Sequence, residues 1–254
     1  MSYPLLASSS KIFVSAYADS DVFGKLILIA LGALSIICWI VLLHKLWQAR
    51  QVRALCQNFY QALNREKRPI LSITLASLPQ SRFKEIGNPF AYILETIQRK
   101  SVEILEKNHF FLQNNFSKEN TPAVFLSRED LDLLESEASS AIAKQAKQLD
   151  KNLFILSTII TLAPFLGLLG TVWGILVTFS ALHAGGAAGS NSMILGGLST
   201  ALVTTVLGLV IAIPALVAHN SLRANLRNIQ IDMENFSYEI LGQMEMEYRR
   251  VAVE

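Results

Sequence analysis

Apolar residues follow two patterns along this chain. In three stretches they cover every side of a helix, and between those stretches they cover only one. The first stretch runs from Leu26 to Leu43, with Lys25 before it and His44 and Lys45 after it. A helix crossing about 30 Å of hydrocarbon needs roughly 20 residues. Val22, Phe23 and Trp47 extend the run as interfacial flanks, which predicts a span over 22–47 with Trp39 and Trp47 in an aromatic belt. The second stretch covers about Leu153 to Leu182, and the third about Met193 to Val217. His183 to Asn191 between them is small, Gly-rich and uncharged, and reads as a short turn. The pair is therefore a hairpin within 151–220, with its turn at 183–191. At ~1.5 Å per residue the second run exceeds what a bilayer needs, so its helix is expected to project beyond it.

The region from 48 to 150 reads as helical and polar. Ser127 with Asp130 has the form of a capping box. Leu131, Leu134, Ala138, Ile142 and Leu149 then recur at helical spacing. No Gly or Pro separates this stretch from the second span, which predicts one long helix through both. A further helix is expected from about Phe90 to Phe116, with Pro69, Pro79 and Pro89 punctuating the loop before it. The tail, 221–254, carries Leu226, Ile229, Met233, Phe236, Ile240 and Met244 on one face. Such stripes are first of all packing surfaces for the chain's own helices or for copies of it.

Charge adds orientation. No Asp, Glu, Lys or Arg lies between Lys151 and Arg223, and charged residues make up only 17% of the 254, against about 25% in soluble domains. Of 22 Lys and Arg, only Lys11 and Lys25 precede the first span, and the hairpin turn has none. The positive-inside rule then places the N-terminal tail, 1–21, outside, and the central loop and C-terminus in the cytoplasm. Lys11 interrupts any signal-peptide core, so the tail is expected to remain uncleaved. The net charge of +2 points to no nucleic-acid partner. Cys38 and Cys56 make no disulfide framework. There is no P-loop, no metal-spaced His/Cys cluster and no nucleophile–base set, so neither metal nor enzyme is indicated.

The remaining candidates lie inside the spans. Gly167, Thr171, Gly174 and Thr178 share a face of the second, and Gly170 with Gly174 makes a GxxxG pair. In the third, Gly197, Ala201, Thr205, Gly208 and Ala212 share a face, with Gly196, Thr200 and Thr204 beside it. Small residues let helices approach closely in lipid. The threonines leave two readings open: each bonds a carbonyl of its own helix, or several converge on a narrow polar path. Pro164 and Pro214 are expected to bend their helices, which suits a packed bundle. No Asp or Glu occurs in the three apolar cores. Proton relays through membranes use such groups, so a partner would have to supply the carboxylate. His44, His183 and His219 sit at helix ends and read as interfacial.

Ala163 to Ile175, APFLGLLGTVWGI, resembles the signature of the ExbB/TolQ family, and Gly197 to Thr205 with Gly208 to Ala215 is similar to that family's third span. The resemblance is strong over about 150–222 and elsewhere rests on topology. It implies an all-α integral membrane protein of the bacterial inner membrane, packed as a homopentamer around a pore, with long helices extending into the cytoplasm. It further implies an ExbD- or TolR-like single-span partner whose Asp faces residues matching Thr171 and Thr205 along a proton path. Work would pass to a TonB- or TolA-like transducer, with protons as the transported ion and no cofactor. Family members carry Glu in a GIAEAL sequence where Thr200 stands here, so the partner's Asp is expected to titrate alone. The other reading is a non-conducting scaffold that assembles and stabilises partner proteins. A solute transporter would show inverted repeats, and three unequal spans show none.

Overall fold

A computed structural model describes residues 17, 20–66, 68–75, 78, 87–115, 125–185 and 191–248. Five α-helices occur among them: α1 (Val22–Arg65), α2 (Pro89–Asn115), α3 (Arg128–Asp150), α4 (Leu153–Gly185) and α5 (Asn191–Tyr248). A 3₁₀ turn covers Ile70–Ser72. Three helices, α1, α4 and α5, are long and apolar enough to cross a membrane. No strand occurs among the described residues beyond an isolated bridge, in which the Leu126 N–H donates to Tyr248 O at 2.9 Å. The chain divides into two compact units, one of residues 1–45 with 152–221 and the other of 46–151 with 222–254.

The second unit is polar outside with an ordinary apolar core. Phe59 from α1, Ile93, Leu94 and Ile97 from α2, Leu134 and Ala138 from α3, and Met233 from α5 are all buried within it. The Phe90 and Phe236 rings stack at 4.4 Å, with 6° between their planes. The tail stripe is this core: Ile229, Met233, Phe236, Ile240 and Met244 are buried. Pro89 opens α2 at the position where a missing N–H costs nothing, and Asn88 Oδ1 caps it by accepting from Phe90 N–H at 3.1 Å. Gln98 holds the 3₁₀ turn by donating to Ile70 O at 2.7 Å and Ile73 O at 3.0 Å.

The capping box forms as expected. Ser127 Oγ accepts from Asp130 N–H at 3.1 Å, and Asp130 Oδ2 accepts from Ser127 N–H at 2.9 Å. Its own backbone N–H holds the Glu129 carboxyl below its usual range, and the Ser127 hydroxyl adds to the effect. One expectation fails. The amphipathic helix and the second span are separate, because Lys151 is extended (φ −52, ψ 132) and Asn152 is left-handed at φ 71. Asn is among the few residues that adopt this conformation readily, so a single side chain does what a Gly or Pro breaker would have done. Both prolines lie inside continuous helices, Pro164 in α4 and Pro214 in α5. The expected turn at 183–191 lies outside the described residues over 186–190, as does most of the tail at 1–21.

Two substitutions check these devices by thermal unfolding in detergent. Ser127→Ala should cost about 1 kcal/mol, as loss of an N-cap does. Asn152→Ala should cost about 1 kcal/mol through left-handed strain while Asn152→Gly does not.

Candidate functional site: the threonine-lined hairpin

The apolar unit contains α1 to residue 45, α4, and α5 to residue 221. Ile27 and Leu31 of α1 pack with Ala163 of α4 and Ala212 of α5. Cys38, Ile159 and Ala215 form a second small cluster. The exposed side chains of this unit are large and apolar, among them Ile29, Ile40, Phe165, Val172, Val206 and Ile213. That is the inverse of a soluble fold and suits lipid or protein neighbours.

The seam between α4 and α5 is set by glycines. A Cβ at Gly167 would sit 2.8 Å from Thr204 O and 2.9 Å from Thr205 Cα. One at Gly208 would lie 2.6 Å from Ala163 O, and one at Gly174 would lie 2.8 Å from Ala201 Cβ. Gly170 faces Thr204 Cβ at 2.7 Å, and Gly197 faces the Thr178 hydroxyl. Each of these glycines lets backbone touch backbone or a threonine. Gly196 is different: nothing lies within 4 Å of where its Cβ would be.

The five candidate threonines fall into two groups. Thr178, Thr200 and Thr204 are buried, whereas Thr171 and Thr205 remain partly exposed. Every one of the five hydroxyls donates to a main-chain carbonyl. Thr171 bonds Leu168 O at 2.6 Å, Thr178 bonds Gly174 O at 2.7 Å, and Thr200 bonds Gly196 O at 3.0 Å. Thr204 has both Ala201 O at 2.7 Å and Gly167 O at 3.2 Å in reach. Thr205 crosses the seam to Gly167 O at 3.0 Å. Carbonyl bonding, the first reading, describes all five, and for Thr204 and Thr205 it reaches across the seam to Gly167 O. The buried three are packed into the seam of this chain, and Thr171 and Thr205 keep an accessible side.

Some polar groups were not picked out by periodicity. Ser157, Thr158 and Thr161 are exposed near the start of α4, with Thr158 bonded to Phe154 O at 2.9 Å and Thr161 to Thr158 O at 3.0 Å. His219, read as interfacial, is half-buried, and its Nδ1 is buried without a hydrogen-bond partner. Asp21 is the one acidic side chain among the described residues of this unit. It accepts from Trp173 Nε1 at 2.9 Å.

A three-helix apolar unit whose second and third members close on glycine and threonine defines a polytopic membrane protein with a polar seam inside a helical hairpin. The model of the MotA/TolQ/ExbB proton channel family matches residues 103–235, more than half of the chain, and the chain belongs to this family. It is 36% identical over 96 residues to the Tol-Pal system protein TolQ of Haemophilus influenzae, over 38% of this chain and 42% of that one. To the biopolymer transport protein ExbB of Helicobacter pylori it is 42% identical over 113 residues, 44% of this chain and 72% of the relative. To ExbB of Neisseria meningitidis it is 28% identical over 225 residues, 87% and 91% of the two chains. The chain thus spans less than half the length of the TolQ relative.

The glycines make the seam testable. Gly167→Ala and Gly208→Ala should each destabilise the detergent-solubilised protein by about 1–3 kcal/mol, as overpacking does. Gly196→Ala should leave the melting temperature unchanged.

Proposed function

We propose that this chain is the channel subunit of an ExbB/TolQ-type motor in the inner membrane, with its N-terminus outside and its C-terminus in the cytoplasm. Copies of it, five by family resemblance, surround an ExbD- or TolR-like single-span partner. Proton flow past that partner's carboxylate drives movement, which a TonB- or TolA-like transducer carries toward the outer membrane. The observation that carries this reading is the α4–α5 seam in a family member. It offers Thr171 and Thr205 with an accessible side, while no carboxylate lies between Val22 and Lys45 or between Asn152 and Ser221. A threonine hydroxyl orders water or passes a hydrogen bond but does not ionise. The titrating group must therefore come from a second protein, and Thr200, where the family resemblance implies Glu, adds none.

The proposal narrows the lining. Thr171 and Thr205 are assigned to the path. Thr178, Thr200 and Thr204 are assigned to the hairpin's internal packing. Gly167, Gly170, Gly174, Gly197 and Gly208 hold the seam that presents the first pair.

The test is the double variant Thr171→Val, Thr205→Val. It should abolish proton-driven uptake or envelope maintenance while the ring still co-purifies with its partner in native mass spectrometry. Losing the Thr205 cross-seam bond should itself cost only about 0.6 kcal/mol, an average membrane hydrogen bond, so assembly survives. Normal energised function in that variant, with assembly intact, would leave only the scaffold reading.

A further inference from the structure

Asp21 is the last residue before α1, and both of its carboxylate oxygens are in use. Oδ1 accepts from Gly24 N–H at 2.9 Å, the geometry of an N-cap. Oδ2 accepts from the indole Nε1 of Trp173, 2.9 Å away on α4. The neighbouring Phe23 ring lies 4.3 Å from the Trp173 ring, tilted by 48°. Gly24 leaves room for the cap, since a Cβ there would stand 3.0 Å from Oδ1. One carboxylate thus closes the start of α1 and grips a side chain 152 residues later.

Helical geometry gives this grip a consequence. Successive residues on a helix are about 100° apart around its axis. Trp173 points to α1 through Asp21 and Phe23. Gly174, one step on, points to Ala201 of α5. Thr171, two steps back, is then about 200° from Trp173 and about 60° from Gly174. It lies away from α1, at the edge of the seam, where it keeps its accessible side. Lower on α4, Gly167 is indexed by the Thr205 bond to its carbonyl and Ala163 packs on Ile27 and Leu31 of α1. At the level of Thr171 and Gly174 the contact with α5 is a glycine face with no side chain to index it, and the Trp173 bond adds a directed bearing on α1 there.

We propose that Asp21 is a positioning residue: through Trp173 it sets the rotation of α4 about its own axis and so aims Thr171. The inference rests on the assignment of Thr171 to the proton path. Asp21→Asn separates the two duties of the carboxylate. Asn is as good an N-cap as Asp, so its oxygen can still serve Gly24. Its NH₂ then faces the indole N–H, donor against donor.

The experiment follows the indole ¹⁵N–¹H signals of Trp39, Trp47 and Trp173 in the full-length protein in nanodiscs, assigned by single Trp→Phe variants. Asp21→Asn should shift the Trp173 signal upfield and speed its hydrogen exchange, with Trp39 and Trp47 unmoved and the ring still assembled. In cells, Asp21→Asn and Trp173→Phe should each lower energised function about threefold, the shift one lost interhelical bond of ordinary strength produces. The double variant should be no worse than the poorer single. An unmoved Trp173 signal would show that the bond is not made, and losses that multiply in the double variant would show that Asp21 does not act through Trp173. Either result overturns the proposal. A functional Thr171→Val, Thr205→Val protein would instead remove the proton path and leave the Trp173 signal as it is.

Discussion

The approach of two backbones at Gly167 and Gly208 is the constraint on which the apolar unit depends. In hydrocarbon there is no hydrophobic gain from pressing one helix against another, so contact has to come from close packing and hydrogen bonds. With Cβ positions at Gly167 and Gly208 lying 2.8 and 2.6 Å from opposing carbonyl oxygens, α4 and α5 touch main chain to main chain. That closeness brings Thr205 within 3.0 Å of Gly167 O. Any larger residue at the two glycines would open the seam and take this bond with it. The polar unit is built on the opposite principle, with Phe59, Ile93, Leu134 and Met233 buried in a conventional core and the large apolar stabilisation that water provides.

Much of this was legible in the order of residues. A fully apolar run and a one-sided stripe differ so strongly in period that the spans, the Met233–Phe236 face and the Ser127 cap followed from it. The break at Asn152 was not legible. It depends on one residue adopting a left-handed conformation, a weak preference that no neighbour signals, in a stretch whose helical pattern is otherwise unbroken. Spacing put all five threonines on sensible faces but could not divide them. Spacing defines a face without saying which helix will cover it, and burial of Thr178, Thr200 and Thr204 depends on how closely the glycines let α5 come. The Asp21–Trp173 bond links positions 152 residues apart, and no local pattern carries such information.

The apolar unit is sparing with charge. Its single described carboxylate stands at a helix start with two N–H donors on it, a well-satisfied place for an anion beside the positive end of a helix dipole. No Asp, Glu, Lys or Arg stands between Leu26 and His44 or between Leu153 and Ser221. The threonine seam therefore provides a polar surface without a charge of its own, which avoids the cost that ionisable groups carry inside a membrane.

The direction of the threonine protons has a further meaning. A hydroxyl has one hydrogen to give and two lone pairs to receive with. In Thr171 and Thr205 the hydrogen is already turned inward to a carbonyl, so each oxygen meets a visitor as a Lewis base. A neutral carboxylic acid, bringing its own O–H, is matched on arrival. An ionised one meets lone pairs with lone pairs and gains nothing until the hydroxyl releases its carbonyl. In the proposed path such a wall would distinguish the two protonation states of a passing acid although it carries no charge and never ionises.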